Sequence, residues 1–168
     1  MKKKVTGDNI KTEIGKWTFG GKVSNTFDSH IKKSIPLYEW CHEIGVNLSD
    51  FFLKDNSACY DIGCSTGTFI KKLSDRNKKK KKIKFYGIDE VNPMIKKAKR
   101  KCKKNEDIIF LNKNFLNLKF KKSSFISSYF TIAFVEPSKR QKAFNNFYNS
   151  LDWGGGLIIF DKVRAPDA

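Results

Sequence analysis

The segment from Tyr60 to Phe69, together with a later acidic residue at Asp89, constrains the fold of this chain more than any other feature. The segment reads Tyr-Asp-Ile-Gly-Cys-Ser-Thr-Gly-Thr-Phe, and a second apolar run ends at Asp89, 22 positions after Gly67. A strand, a tight glycine turn into a helix and a carboxylate at the tip of the next strand form a pocket for a nucleoside cofactor. The pattern therefore predicts such a pocket at the carboxyl edge of a parallel sheet.

Two glycines and two acids carry distinct parts of this prediction. Gly63 is expected to take backbone angles closed to other residues, and Gly67 to let the following helix approach the first strand. Asp89 can accept hydrogen bonds from both hydroxyls of a ribose, and Glu90 can supplement that contact. The nicotinamide fingerprint Gly-x-Gly-x-x-Gly is not matched, because its second glycine is replaced by Ser65. A dinucleotide cofactor is therefore disfavoured.

The alternation of apolar runs with helical patterns predicts an α/β fold. The 168 residues suit a single structural unit. Strands are expected at 58–62, 83–88, 108–111, 125–133 and 157–163, and helices at 27–35, 37–46, 68–73, 94–103 and 137–151. The order favours a Rossmann-like three-layer sandwich with a mainly parallel sheet. An N-terminal arm and helical cap are predicted over 1–56, and the cofactor-binding part over 57–168.

Several local expectations accompany this organisation. The helix at 37–46 is expected to present Leu37, Trp40, Cys41 and Ile44 on its apolar face. Asn92 and Pro93 are expected at the N-cap and the first position of the helix that continues over 94–103. The glycines at 154–156 are expected to end the last helix. The aromatic residues Trp17, Phe19 and Phe27 are expected to clamp the arm onto the domain.

The charge and the reactive side chains exclude some classes of function. The net charge is +17, and only four of the 34 basic residues are arginine. This bias toward lysine fits a lysine-coated surface or the coding bias of A/T-rich DNA better than a dedicated nucleic-acid groove. The longest apolar stretch, 125–135, is too short to cross a bilayer, so a cytoplasmic protein without a membrane anchor is expected.

The cysteines and histidines do not predict a metal site or a nucleophile. The four cysteines contain no Cys-x-x-Cys pair and are expected to be reduced: Cys41, Cys59, Cys64 and Cys102. His30 and His42 are expected to be surface or capping residues. Cys64 is expected to be a small packing residue of the turn.

The residues of the glycine turn resemble the first motif of the class I S-adenosylmethionine-dependent methyltransferases. That motif runs acidic-x-Gly-x-Gly-x-Gly, matched by Asp61, Gly63 and Gly67 with Ser65 in place of the middle glycine. The closer resemblance is to the carboxy-S-adenosylmethionine synthases of tRNA wobble-uridine modification, which usually carry Asp-x-Gly-Cys-Ser-x-Gly. Further similar elements are Trp17-Thr18-Phe19, Phe27-Asp28, Ser34-Ile35-Pro36-Leu37-Tyr38 (family Arg-Ser-Val-Pro-Gly-Tyr), Asn92-Pro93-Met94-Ile95, Phe130-Thr131, Glu136-Pro137-Ser138 and Gly154-Gly155-Gly156-Leu157.

The resemblance implies a site for S-adenosylmethionine, S-adenosylhomocysteine or carboxy-S-adenosylmethionine. Its implied residues are Tyr38, Asp61, Gly63, Cys64, Ser65, Gly67, Asp89, Glu90, Asn114, Phe115 and Tyr129. The turn would line the methionine part, Asp89 the ribose, and Asn114 with Phe115 the adenine, while Tyr38 closes over the cofactor. Tyr129 would face the sulfonium. Asn114 stands where the family has an acid, and Tyr129 where it has Asn; no catalytic residue is identified.

The carboxyl end departs from the family. The chain stops at Ala168, where these enzymes continue with a helix, two antiparallel strands and a basic residue that recognises the carboxylated cofactor. A sheet of order 3-2-1-4-5 without the usual last two strands is therefore expected. It would leave Leu157 to Phe160 as an open edge. A homodimer, a partner chain or a fragment of a longer reading frame would each account for that edge.

Three functional hypotheses follow. The first is an S-adenosylmethionine-dependent transferase, either a carboxy-S-adenosylmethionine synthase-like protein or a methyltransferase acting on a small molecule or RNA. The absence of an Asn/Asp-Pro-Pro-Tyr/Phe loop after the fourth strand disfavours methylation of amide or adenine nitrogens. The second is a truncated, non-catalytic binding module that needs a partner chain. The third is a basic RNA-associated scaffold.

Overall fold

The computed structural model describes residues 23–163, so the expectations for Trp17 and Phe19 lie outside the described part of the chain. Its elements, in chain order, are α1 (Val23–Ser34), α2 (Tyr38–Phe52), β1 (Ala58–Ile62), α3 (Thr68–Arg76), β2 (Lys84–Asp89), α4 (Asn92–Lys101), β3 (Ile108–Asn112), a 3-10 turn (Phe115–Asn117), β4 (Ser123–Tyr129), a second 3-10 turn (Ile132–Phe134), α5 (Pro137–Ser150) and β5 (Leu151–Phe160). The predicted alternation of strands and helices is confirmed.

The five strands form one parallel sheet of order β3-β2-β1-β4-β5, as predicted. β1 is central and buried on both faces, which explains its nearly continuous apolar run. Its alternate side chains enter two different cores: Cys59 packs with residues of α2 and α3, and Tyr60 and Ile62 pack with residues of α5. The sheet between these two cores is the middle layer of a Rossmann-like three-layer sandwich.

The apolar face predicted for α2 is wrong. Leu37, Trp40 and Ile44 are 71%, 67% and 44% exposed, whereas the buried positions of the helix are His42, Gly45, Val46 and Ser49. The buried set has the same helical spacing, and its polar members are accommodated by local partners. The Ser49 hydroxyl donates to the Val46 carbonyl and accepts from the Asn77 amide. Counting apolar residues alone therefore selected the wrong side of the helix.

The carboxyl-terminal strands also differ from the prediction. β4 ends at Tyr129, four residues early, because Phe130 has a φ of +53° and the chain then enters a 3-10 turn. β5 begins at Leu151, so the predicted role of the glycines at 154–156 as the end of a helix is wrong. Gly154 has a φ of +76°, and the register between β4 and β5 shifts between Ser123 and Phe125. The glycines therefore form an irregularity inside the strand.

A few local features complete the description of the fold. The cap of α4 is Val91, which places Asn92 and Pro93 one position further into the helix than predicted. Across residues 23–163 we find no helix whose length and apolarity would allow it to cross a membrane. All four cysteines are free, and the described residues contain no group of three or more His, Cys, Asp or Glu suited to a metal ion. The division at residues 56 and 57 stays a prediction.

Candidate functional site

The glycine turn between β1 and α3 lies at the carboxyl edge of the sheet. Gly63 has a φ of +70°, and the amides of Gly63 and Cys64 both donate to the Ile88 carbonyl at 2.8 and 3.0 Å. A Cβ on Gly63 would overlap the Thr131 hydroxyl, and a Cβ on Gly67 would lie 3.0 Å from that of Ala98. The close approach at Gly67 is therefore to α4, and not to the first strand as predicted.

Asp89 ties the end of β2 to this turn. Its Oδ2 accepts from the Ser65 amide at 2.9 Å, and its Oδ1 accepts from the Val91 amide at 2.8 Å. Each carboxylate oxygen keeps capacity for another hydrogen bond. Burial raises the pKa of Asp89, and the two amides oppose that shift. Ser65 has a φ of +49°, a conformation unfavourable for a residue with a Cβ.

Asp61 is a buried carboxylate with an unused oxygen. Its Oδ1 accepts from the Ser127 hydroxyl at 3.0 Å, whereas its Oδ2 has no hydrogen-bond partner among the described residues. The pKa of Asp61 is raised to about 7, mainly because the carboxyl group is buried. Asp61 itself lines a cavity, and a cationic or hydrogen-bond-donating partner would satisfy its unused oxygen.

The cavity has a volume of about 500 Å³ and brings the predicted residues together. Ten of the eleven predicted site residues line it, namely Tyr38, Asp61, Gly63, Cys64, Ser65, Asp89, Glu90, Asn114, Phe115 and Tyr129. Gly67 is the exception, because it contacts α4 behind the turn. At one end of the cavity the Asn114 amide donates to Glu90 Oε2 at 2.9 Å, and Asn114 Oδ1 accepts from the Leu116 amide.

An aromatic cluster forms the wall between α2 and the end of β4. The ring centroid of His42 lies 4.3 Å from Tyr38, 5.0 Å from Tyr129 and 5.2 Å from Phe69. The Tyr129 hydroxyl donates to the Cys41 carbonyl at 3.1 Å. His42 is buried, so its predicted surface position is wrong, and burial lowers the pKa of its imidazole to about 4. The imidazole is therefore neutral at pH 7.

Residues 60–155 match the family described as methyltransferase domain. The matched range runs from β1 into β5 and includes the glycine turn, Asp89 and the end of β4. The chain belongs to this family.

Individual proteins that are similar to this chain belong to the same kind of enzyme. The carboxy-S-adenosyl-L-methionine synthase of Helicobacter pylori strain J99 is 34% identical to this chain, and the match covers 90% of this chain and 65% of that protein. The chain therefore spans just under two thirds of the length of that relative. The N-methyltransferase NodS of Bradyrhizobium japonicum, solved with S-adenosyl-L-homocysteine, has a TM-score of 0.62 at 21% identity and covers 74% of this chain and 61% of its own.

A second structure gives the same fold. It is that of an S-adenosyl-L-methionine-dependent methyltransferase from Methanococcus maripaludis, with a TM-score of 0.65 at 22% identity, covering 90% of this chain and 67% of the other. At this level of identity the two structural matches establish the fold of the methyltransferase domain and not its ligand or acceptor.

Sequence reasoning missed one wall of the methyltransferase domain's cavity. Residues of α1 and the position that follows it line this wall: Phe27, His30, Ile31, Ser34 and Ile35. Their spacing of three and four residues is that of one helical face, and this periodicity was the available signal. Thr131 and Met94 also line the cavity, but their positions depend on contacts between distant segments.

Proposed function

We propose that this methyltransferase domain binds S-adenosylmethionine in the cavity and transfers a one-carbon group, with carboxy-S-adenosylmethionine synthesis as the leading reaction. The observation that carries the proposal is the joint position of Asp89 and the glycine turn on one cavity wall, joined by the 2.9 Å hydrogen bond from the Ser65 amide. A carboxylate at this place suits the two hydroxyls of a ribose. The name of the H. pylori relative supports the choice of reaction.

The methionine part of the cofactor would bind beside Asp61. The unused Oδ2 is buried in the cavity wall and can accept from an ammonium group. Such a pairing would lower the pKa of Asp61 again, because an adjacent cation favours the ionised carboxylate. The buried, unsatisfied oxygen would then gain the partner that the described protein residues do not provide.

The adenosyl part would extend from Asp89 toward the Glu90–Asn114 pair. Asn114 Oδ1 is engaged in capping the 3-10 turn and its amide in contacting Glu90, so Asn114 would act mainly by fixing Glu90. Phe115 lines the same end of the cavity and offers a ring face for an adenine. In this arrangement Glu90 supplies the negative charge that the family carries at the position of Asn114.

The aromatic cluster would surround the sulfonium. Tyr38, His42 and Tyr129 line the cavity beside Asp61, and aromatic faces attract a cation. The neutral state of His42 avoids repulsion of the positive sulfur. When bound, the cofactor supplies an activated carbon on that sulfur, and the contribution of the protein is to orient it within the cavity.

Two lysines lie on the side of the cavity where we propose that the second substrate enters. Lys139 and Lys162 line the cavity near the first turn of α5 and the end of β5, where an anionic carboxyl donor or acceptor could approach. Lys139 is paired with Glu136 on the surface of α5. We extend the proposal to a role in tRNA wobble-uridine modification and to a cytoplasmic location on the strength of the resemblance. The comparisons give no support to the RNA-scaffold alternative.

The β5 edge is proposed as a pairing surface. Within the described residues β5 has a neighbouring strand only on its β4 side. Trp153 is fully exposed and Leu157 is 37% exposed along this strand. An open apolar edge is a template for another strand, supplied by a second copy, a partner chain or a continuation of the same chain.

Calorimetric titration with S-adenosylmethionine and S-adenosylhomocysteine tests the proposed function, followed by mass spectrometry of reactions that contain prephenate, the carboxyl donor implied by the resemblance to the synthases. We expect both ligands to bind and a carboxylated sulfonium product to appear. A methylated acceptor without this product would reassign the domain to methyl transfer, and binding without turnover would favour the partner-dependent module. Failure of both ligands to bind would overturn the proposal. Lys99→Met, a substitution on the exposed side of α4, should bind both ligands like the wild type and serves as the control for the variants below.

A further inference from the structure

A single ammonium group connects four elements at the margin of the cavity. Lys101, at the end of α4, donates to Asp28 Oδ2 of α1 at 2.7 Å. It also donates to the Thr66 hydroxyl in the glycine turn at 2.8 Å and to the Thr68 hydroxyl at the start of α3 at 2.6 Å. Asp28 Oδ1 in turn accepts from the Thr66 hydroxyl. All three donor positions of the lysine are used.

The helix held by this network is a wall of the cavity. Phe27 lies next to Asp28 in the sequence, and Phe27 and Ile31 of α1 line the cavity together with Ser65 and Thr66 of the turn. Thr66 stands between Ser65, whose amide binds Asp89, and Gly67. The position of α1 is therefore connected through one side chain to the turn that would hold the cofactor.

We infer that Lys101 is a positioning residue that latches α1 against the glycine turn and thereby sets the affinity and residence time of the cofactor. This inference rests on the proposed function for its ligand. Breaking the latch lowers the fraction of molecules in which α1 and the turn are both in place. The apparent dissociation constant rises in inverse proportion to that fraction. Because charge-assisted hydrogen bonds are involved, we expect an effect of about five- to thirty-fold.

The principal test compares Lys101→Met with Lys99→Met in the full chain. Both variants remove one positive charge from α4, but Lys99 is exposed and lies outside the network. S-adenosylhomocysteine should bind Lys101→Met about five- to thirty-fold more weakly, mainly through faster dissociation, and Lys99→Met like the wild type. Lys101→Arg should recover part of the affinity. Equal affinity of Lys101→Met and Lys99→Met would overturn the inference.

A second measurement needs no ligand and separates this inference from the proposed function. In hydrogen exchange of the ligand-free chain, the amides of α1 should exchange several-fold faster in Lys101→Met and Asp28→Asn, while those of β1 and β4 keep their protection. The double variant should exchange α1 amides no faster than the faster of the two single variants, because both break one latch. Unchanged α1 exchange in Lys101→Met would refute the latch. Failure of the wild type to bind S-adenosylhomocysteine would refute only the proposed function.

Discussion

The two sides of the cavity are built by different physical means. On the β1–β2 side, a glycine turn and Asp89 are fixed by backbone amides that donate to a carbonyl and a carboxylate. On the α2–β4 side, the rings of His42 and Tyr129 pack against each other, and the Tyr129 hydroxyl donates to the carbonyl of Cys41, 88 positions earlier in the chain. The first side is held by backbone hydrogen bonds between neighbouring strands, and the second by side-chain packing between distant segments.

The largest expected effect concerns the point where the two sides meet. In Gly63→Ala the new Cβ would overlap Thr131, which follows β4 and donates to the carbonyls of Ile62 and Tyr129. Gly154 also has a positive φ, but nothing lies within 4 Å of its Cβ position. We expect Gly63→Ala to lower the free energy of unfolding by about 2–5 kcal/mol and Gly154→Ala by about 1–2 kcal/mol. Denaturant unfolding of both variants measures the difference, and equal losses would show that the two sides are not in steric contact.

The next effect tests the anchoring side alone. Asp89→Ala removes the proposed ribose acceptor and the partner of the Ser65 and Val91 amides, so we expect S-adenosylhomocysteine to bind at least about 100-fold more weakly. Glu90→Ala is the comparison within the proposed site and should cost less than about tenfold, because Glu90 is an exposed residue at the rim. Calorimetry on both variants makes the comparison. Intact binding in Asp89→Ala would remove the ribose assignment.

Asp61 and His42, one from each side of the cavity, should change the free energy of unfolding in opposite directions as the pH rises. The raised pKa of Asp61, about 7, means that the ligand-free folded state binds more protons than the unfolded chain between pH 4 and 7. The contribution of Asp61 to the free energy of unfolding is therefore lost as the pH rises through this range. The lowered pKa of His42, about 4, has the opposite effect, and its contribution is lost as the pH falls from about 6.5 to 4.

Variants expose the two slopes. In Asp61→Asn the free energy of unfolding should rise with pH between 4 and 6.5, and in His42→Phe it should fall between 4 and 7, each by an amount of the order of 1–3 kcal/mol. Urea unfolding at half-unit pH steps, compared with the wild type, provides the measurement. Parallel curves for the two variants would contradict the assignment of opposite protonation states.

The smallest effect concerns backbone strain on the packing side. Leu37 has a φ of +58° at the cap of α2, and the similar element of the synthase family has glycine there. Its side chain is 71% exposed, so Leu37→Gly removes little buried surface. We expect a gain of about 0.5–1 kcal/mol in the free energy of unfolding, with Leu37→Ala as control without that gain. A loss in Leu37→Gly would show that the exposed leucine stabilises the fold by contact.

The anchoring side was largely predictable because its positions are linked through local geometry. A strand, a glycine turn and an acid at the tip of the adjacent strand are fixed once the strands pair in parallel, so Asp61, Gly63 and Asp89 were expected beside one another. The packing side was predicted less well. His42 was expected at the surface, and α2 was expected to bury the side that carries Trp40, because apolar character alone decided the choice.

The sequence by itself determined the parallel α/β sheet, its strand order and the residues of the glycine turn, since each depends on backbone propensity and on the alternation of apolar runs. Only the tertiary structure decided which face of α2 is buried, that Gly154 lies inside β5, and that Lys101 reaches α1 across the margin of the cavity. These features depend on the fit of side chains from distant segments, and such a fit leaves no periodic signal along a single chain.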